Sequence, residues 1–237
     1  AAAALRKRTR FGIGAIATGA IVLLATLAAS SFRQMAVWKD PMTFWTAIID
    51  RGVNSTFAYN NRGSIHVREG RLMDAEADYR KAIEISPTHA EAIYNLGNVL
   101  NDQGRQEDAL ASYAEAVRIK PDLAEAHYNR GNIHKTRREF EAAVICYESA
   151  IRYKPDYAEA RTNMAGALHF LNRLDEAEVQ YREALRLNPR IVLAYDGLAR
   201  VLLFKGQHQQ AVELMHEGLK IDPNYAPLRE LLRQYGP

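Results

Sequence analysis

A 34-residue period runs through most of this chain and leaves few folds open to it. Pro87, Pro121, Pro155, Pro189 and Pro223 stand 34 residues apart, and Ala75, Ala109, Ala143, Ala177 and Ala211 keep the same interval in another phase. Tyr79, Tyr113, Tyr147 and Tyr181 form a third series, with Met215 in the fifth place. Gly63, Gly97 and Gly131 form a fourth, continued by Ala165 and Ala199. A period of this length marks a solenoid of stacked supersecondary units, none of which buries its apolar face alone. Numbered from Ala90, positions 4, 7, 8 and 11 of each unit share one face at helical spacing. Position 8 is Gly or Ala where a neighbouring helix crosses too closely for a larger side chain, and position 20 is Ala on the second helix for the same reason. The tyrosine at position 24 fills the space between units. The proline at position 32 cannot continue a helix and drives the residue before it out of helical geometry, so it ends each second helix. These signals predict an all-α chain with five two-helix units at 56–89, 90–123, 124–157, 158–191 and 192–225, closed by a capping helix within 226–237.

Spacing and residue types over Thr56–Tyr225 resemble the tetratricopeptide repeat. The resemblance implies a right-handed helical solenoid that binds protein or peptide in its concave groove. Position 15, the break between the two helices of a unit, holds Gly70, Gly104, Asn172 and Gly206, which suit the left-handed conformation of a helix end. Arg138 departs from that pattern. Arg62 and Arg130 replace the usual leucine at position 7, where an arginine stem covers apolar surface while its head reaches water.

The N-terminal part has a different character. Residues 1–10 form a short basic segment, followed by Phe11–Phe32, which carries no charged residue. A helix of that length measures roughly 33 Å against a hydrocarbon core of about 30 Å, so a single transmembrane helix over 11–32 is expected. A signal peptide is the rival reading, with Ala28, Ala29, Ser30 and Ser31 imitating a cleavage site. Arg6, Lys7, Arg8 and Arg10 before the span place the N-terminus in the cytoplasm, and the repeats then lie in a bacterial periplasm or a eukaryotic lumen. Ala15 and Gly19 make a small-residue pair that permits contact with another membrane helix. Residues 33–55 form a juxtamembrane segment in which Asp40 and Pro41 start an orphan helix, Pro41–Arg51, in phase with the repeats. It would cap the first unit. Residues 1–40 carry six basic side chains against Asp40, a balance of +5 that leaves −2 for the remainder of a chain whose net charge is +3. Near-neutral repeats lack the clustered Lys and Arg of a nucleic-acid surface.

The junction is similar to a second family. Arg33, Trp38, Asp40 and Trp45, then Tyr59, Asn61 and Gly63, match the stretch after the last membrane helix of glycosyltransferases that end in tetratricopeptide repeats, the O-mannosyltransferase group and its bacterial relatives. That resemblance implies the alternative that this chain is the acceptor-selecting tail, or a relative, of such an enzyme. The many-spanned catalytic part of these enzymes is absent, so no transferase residue carries over.

No catalytic constellation is present, and no cofactor or metal is expected. His127 and His134 are the one close histidine pair, without the Cys or carboxylate that would complete a site. Cys146 is the single cysteine. The candidate binding residues lie on the first helices. Position 6 reads Asn61, Asn95, Asn129 and Asn163, then Gly197. Asn98 and Asn132 stand at position 9, and Tyr94 and Tyr128 at position 5. Stacking brings position 6 into a row, and an amide offers both donor and acceptor to an extended peptide backbone. The row is similar to the asparagine ladder of the O-linked N-acetylglucosamine transferase superhelix; hydrogen bonding from helix to helix is the structural alternative. The clamp that other tetratricopeptide domains use for acidic chaperone tails does not match: its five slots hold Asn60, Ser64, Asn95, Glu125 and Asn129. Phe170 and Phe204, with Leu193, form an apolar end to the groove unless the C-terminal helix covers them. A non-enzymatic, membrane-anchored scaffold for protein or peptide binding is the function expected.

Overall fold

The structure is a computed structural model that describes residues 40–236. The expected membrane helix at 11–32, the basic segment at 1–10, Arg33 and Trp38 lie outside the described residues. Among the described residues, no helix is long and apolar enough to cross a membrane. These residues are all-α and fall into two compact units, one ending at Pro87 and one beginning at Thr88.

The first unit contains α1 (Pro41–Asp50), α2 (Thr56–Arg68) and α3 (Leu72–Ile85). Asp40 caps α1, its carboxylate accepting from the amides of Met42 at 3.3 Å and Thr43 at 2.9 Å, with Pro41 in the first turn. Both orphan donors and the fixed proline φ favour a helix start there. Helix α1 packs on α2, and α2 pairs with α3. Arg62 departs from expectation. Its head is drawn into a two-pronged pair with Asp78 of α3, at 2.8 and 2.6 Å, and His66 lies 3.5 Å from the same carboxylate. Asp78 is buried. A planar guanidinium fits a carboxylate in this way, and the pair satisfies both charges inside the hairpin.

The second unit runs through α4 (Ala90–Asp102), α5 (Gln106–Ile119), α6 (Ala124–Thr136), α7 (Phe140–Tyr153), α8 (Ala158–Phe170), α9 (Leu174–Leu187), α10 (Val192–Phe204), α11 (His208–Ile221) and α12 (Ala226–Tyr235). Four hairpins stack in chain order, and α12 packs on α11. Ala109, Ala143, Ala177 and Ala211 are fully buried at the helix crossings, and so are Ala116, Ala150 and Ala184 one turn or two later. Arg138 and Asn172 take left-handed φ values of 62° and 59° at the same point in the repeat where Gly104 and Gly206 do. The hairpin imposes this conformation even on an arginine, at a steric cost that glycine avoids.

The tyrosines lie closer to home than expected. A Cβ added to Gly97 would stand 2.7 Å from the ring of Tyr113, and one added to Gly131 would stand 2.6 Å from Tyr147. Each ring rests on the bare backbone of the first helix in its own hairpin. The first unit repeats this with Gly63 and Tyr79 at 2.8 Å. In the fourth repeat Ala165 occupies the glycine place. There the Tyr181 ring presses on Gly197 of α10 instead, where any side chain would overlap it, and a Cβ on Gly166 would sit 3.5 Å from the Tyr181 hydroxyl, an ordinary contact.

Two glycines on equivalent helices therefore respond oppositely to alanine. Gly131→Ala drives a methyl into the buried Tyr147 ring and lowers stability by about 1–3 kcal/mol, typical of overpacking. Gly166→Ala meets no obstacle and gains helix propensity, raising stability by up to about 1 kcal/mol. Denaturant unfolding of both variants checks the two signs.

Candidate binding face

The first helices of the second unit carry a polar network that crosses from repeat to repeat. The Asn129 amide on α6 donates to Asn98 Oδ1 at 2.9 Å and to the Tyr94 hydroxyl at 3.2 Å, both on α4. One repeat later, Asn163 on α8 donates to Asn132 Oδ1 and to the Tyr128 hydroxyl, each at 3.0 Å. The second helices join in. Tyr113 donates to Asn98 Oδ1 at 2.7 Å, and Tyr147 donates to Asn132 Oδ1 at 2.8 Å. Burial raises the pKa of both phenols, so they stay protonated donors. Each position-9 asparagine oxygen thus receives two donors, one from its own repeat and one from the next. Tyr94 and Tyr128 also pack at ring distances of 5.8 and 5.9 Å from Tyr113 and Tyr147.

The expected row is therefore present in this unit, with the amide donors of Asn129 and Asn163 engaged inside the protein. What remains open beside it is a polar cavity of about 470 Å³, lined by Asn98, Asn101, Asp102, Gln106, Asn132 and Thr136 among others. Asn95 is half-buried on α4. Asn61 belongs to the first unit and donates to the Phe57 carbonyl of its own helix at 2.7 Å.

The network stops at the fourth repeat, because Gly166 takes position 9 and Gly197 takes position 6 of the next unit. A second cavity, about 660 Å³, opens here between α8 and α10, with bare Gly166 in its wall and the Tyr181 ring lying over Gly197. Tyr181 forms part of its wall, and its hydroxyl has no counterpart of Asn98 or Asn132 to donate to. Phe170, Leu193 and Phe204 rim the opening at 68%, 50% and 72% exposure. Phe140 stacks on Phe170 at 4.7 Å, and His169 meets the Phe204 ring edge at 5.2 Å, so the exposed rings are held in place. Helix α12 does not cover them. It buries Leu228 and Leu231, and Leu228 lies over Gly218 on α11 beside Tyr195.

Charge lies at the cavity edges. Lys135 on α6 donates to Asn163 Oδ1 at 2.7 Å, and burial lowers its pKa. Arg200 pairs through Nε with Asp196 at 3.0 Å, while burial raises the pKa of that aspartate. Burial first, and the Arg200 charge second, hold His169 below its ordinary value, so the imidazole is neutral at pH 7. Sequence reasoning located Phe170 and Phe204 but passed over Lys135, Tyr181, Gly166 and Asp196. The readable signal was the change from Asn to Gly at positions 9 and 6. Among the described residues no cluster of His, Cys, Asp or Glu is arranged to hold a metal ion, and Cys146 is buried.

Family models described as TPR repeat match residues 63–104 and 97–136, and models described as tetratricopeptide repeat match 124–157 and 170–226. No curated protein matches the chain. Solved structures do. YrrB, described as a TPR protein with an unusual peptide-binding site, aligns with TM-score 0.69 and 21% identity over 80% of this chain and 97% of its own. A MamA structure aligns with TM-score 0.64 and 24% identity over 69% of this chain and 96% of its own. MamA from Desulfovibrio magneticus RS-1 gives TM-score 0.65 and 18% identity over 72% and 96%. At these identities the likeness is one of fold.

Replacing Asn129 with Ala removes both cross-repeat donations and costs about 1–3 kcal/mol, since Tyr94 and Asn98 each lose a partner. A double-mutant cycle with Asn98→Ala shows coupling of about 0.5 kcal/mol or more. Additive losses contradict the network.

Proposed function

Since the chain belongs to the tetratricopeptide repeat family, we propose that it is a membrane-anchored scaffold that binds a protein or peptide on the first-helix face of its repeats. The observation that carries this is the open cavity between α8 and α10, rimmed by three exposed large apolar side chains. Solvated aromatics clustered around a concave opening are the usual anchor of a recognition surface. The likeness to YrrB, described as having a peptide-binding site, supports the same reading. Residues 11–32 supply the anchor, the basic segment before them sets the orientation, and the repeats face the non-cytoplasmic side, as part of a membrane complex. The scaffold itself is not an enzyme; its contribution is to hold a partner near the bilayer.

Two experiments test this. A photo-reactive phenylalanine analogue at Phe204 in intact membranes gives a discrete adduct, and the same group at Ile145, exposed on the second helix α7, gives none. Equal labelling from both positions, or none from either, contradicts the assigned face. External protease added to right-side-out cells with a permeabilised outer layer digests the repeats. Protection until lysis reverses the orientation.

A further inference from the structure

The geometry points to a specific ligand chemistry for the α8–α10 cavity: an extended peptide segment in which a large apolar side chain stands next to a carboxylate. This rests on the peptide-binding reading above and narrows it to one cavity and one chemical pattern.

The space lies where the two positions that carry network asparagines elsewhere are glycines. Gly166 leaves bare backbone in the wall, the Tyr181 ring lies over Gly197, and Phe170, Leu193 and Phe204 stand around the mouth. A gap of this shape between exposed rings accepts a large apolar side chain, and bare Gly166 lets a peptide backbone come close.

The polar groups at the same cavity have donors to spare. Lys135 brings an ammonium out of water with one amide oxygen, that of Asn163, as its hydrogen-bond partner among the described residues. A half-buried cation with a neutral partner favours an added counter-charge. Arg200 uses Nε for Asp196, and its terminal nitrogens form no other bond among the described residues. The Tyr181 phenol is kept protonated by burial, with Asp196 adding to the effect. Two cations therefore line the cavity against one carboxylate, which Arg200 already engages, and the Tyr181 phenol adds a third donor to the same wall. A carboxylate answers all of them. A second basic group does not, and a neutral amide answers only the hydrogen bonds.

The test uses the full chain and end-blocked, fluorescently labelled peptide pools read by anisotropy. One pool is fully random. The others fix adjacent Phe and Asp, Phe and Asn, or Ala and Asp. The Phe–Asp pool is expected to bind about fivefold or more tighter than either the Phe–Asn or the Ala–Asp pool, the size of one charge-assisted contact or one filled pocket. Lys135→Met is expected to erase the preference for Asp over Asn. Gly166→Asn restores the residue found at Asn98 and Asn132, fills the cavity and gives the Tyr181 hydroxyl an acceptor. It is expected to weaken the Phe–Asp pool about tenfold, with an unchanged or higher melting temperature, because a Cβ there makes only an ordinary contact and Asn is a better helix former than Gly. Equal binding of the Phe–Asp and Phe–Asn pools, or full-strength binding by a folded Gly166→Asn variant, overturns the inference. If the random pool binds and no fixed pair improves on it, the ligand chemistry falls while the scaffold reading stands. If no pool binds, both fall.

Discussion

The contact between a tyrosine ring and a bare glycine sets the spacing of the first three hairpins. Tyr79 on Gly63, Tyr113 on Gly97 and Tyr147 on Gly131 bring a large flat side chain to the backbone of the paired helix, inside the distance that a Cβ requires. Close packing of this kind fixes position as well as energy, because a packed interior tolerates neither a void nor an extra methyl. It also fixes where the phenolic oxygen ends up. With the ring seated on glycine, the hydroxyls of Tyr113 and Tyr147 emerge beside the very next residue, position 9, where Asn98 and Asn132 accept them.

The polar network follows from that placement. An asparagine oxygen held by one tyrosine is oriented to accept from the asparagine of the next repeat, and so Asn129 and Asn163 tie neighbouring hairpins together. The same face that looks suited to a ligand is thereby partly committed to holding the stack. Where alanine replaces the seating glycine, at Ala165, the Tyr181 ring meets Gly197 instead and the network ends. The cavity between α8 and α10 is the direct consequence. In the proposed reading, stability and binding use the same positions in different repeats, and the identity of positions 8, 9 and 6 decides which of the two a repeat supplies.

Much of the fold was legible from punctuation alone. Proline at position 32, alanine at position 20 and the glycine or asparagine at position 15 each report one backbone or packing constraint, and such constraints repeat because the hairpin repeats. The cap at Asp40 was readable for the same local reason. Pairings between side chains were harder. Arg62 was expected to reach water, yet Asp78 holds it inside the hairpin, because a partner sixteen residues away lies beyond any local pattern. The tyrosines were expected between units; Tyr79, Tyr113 and Tyr147 instead sit on glycines of their own hairpins, while Tyr181 does reach the next repeat at Gly197. The asparagine row was visible, but an amide serves a helix neighbour and a peptide equally well, and residue type cannot separate those uses. The junction residues that resemble a glycosyltransferase tail are likewise ambiguous. Asp40 caps α1, Gly63 seats Tyr79 and Asn61 bonds its own helix, all roles that any repeat protein would need.

The central claim is that the broken network at the fourth and fifth repeats, and not the intact one before it, is where the chain receives a ligand. Backbone amide resonances of the glycines give the most direct test, since Gly97 and Gly131 report the intact network and Gly166 and Gly197 the broken one. On titration with a binding peptide, the signals of Gly166 and Gly197 should move progressively while those of Gly97 and Gly131 stay in place. Shifts confined to Gly97 and Gly131, with Gly166 and Gly197 unmoved, would contradict the account.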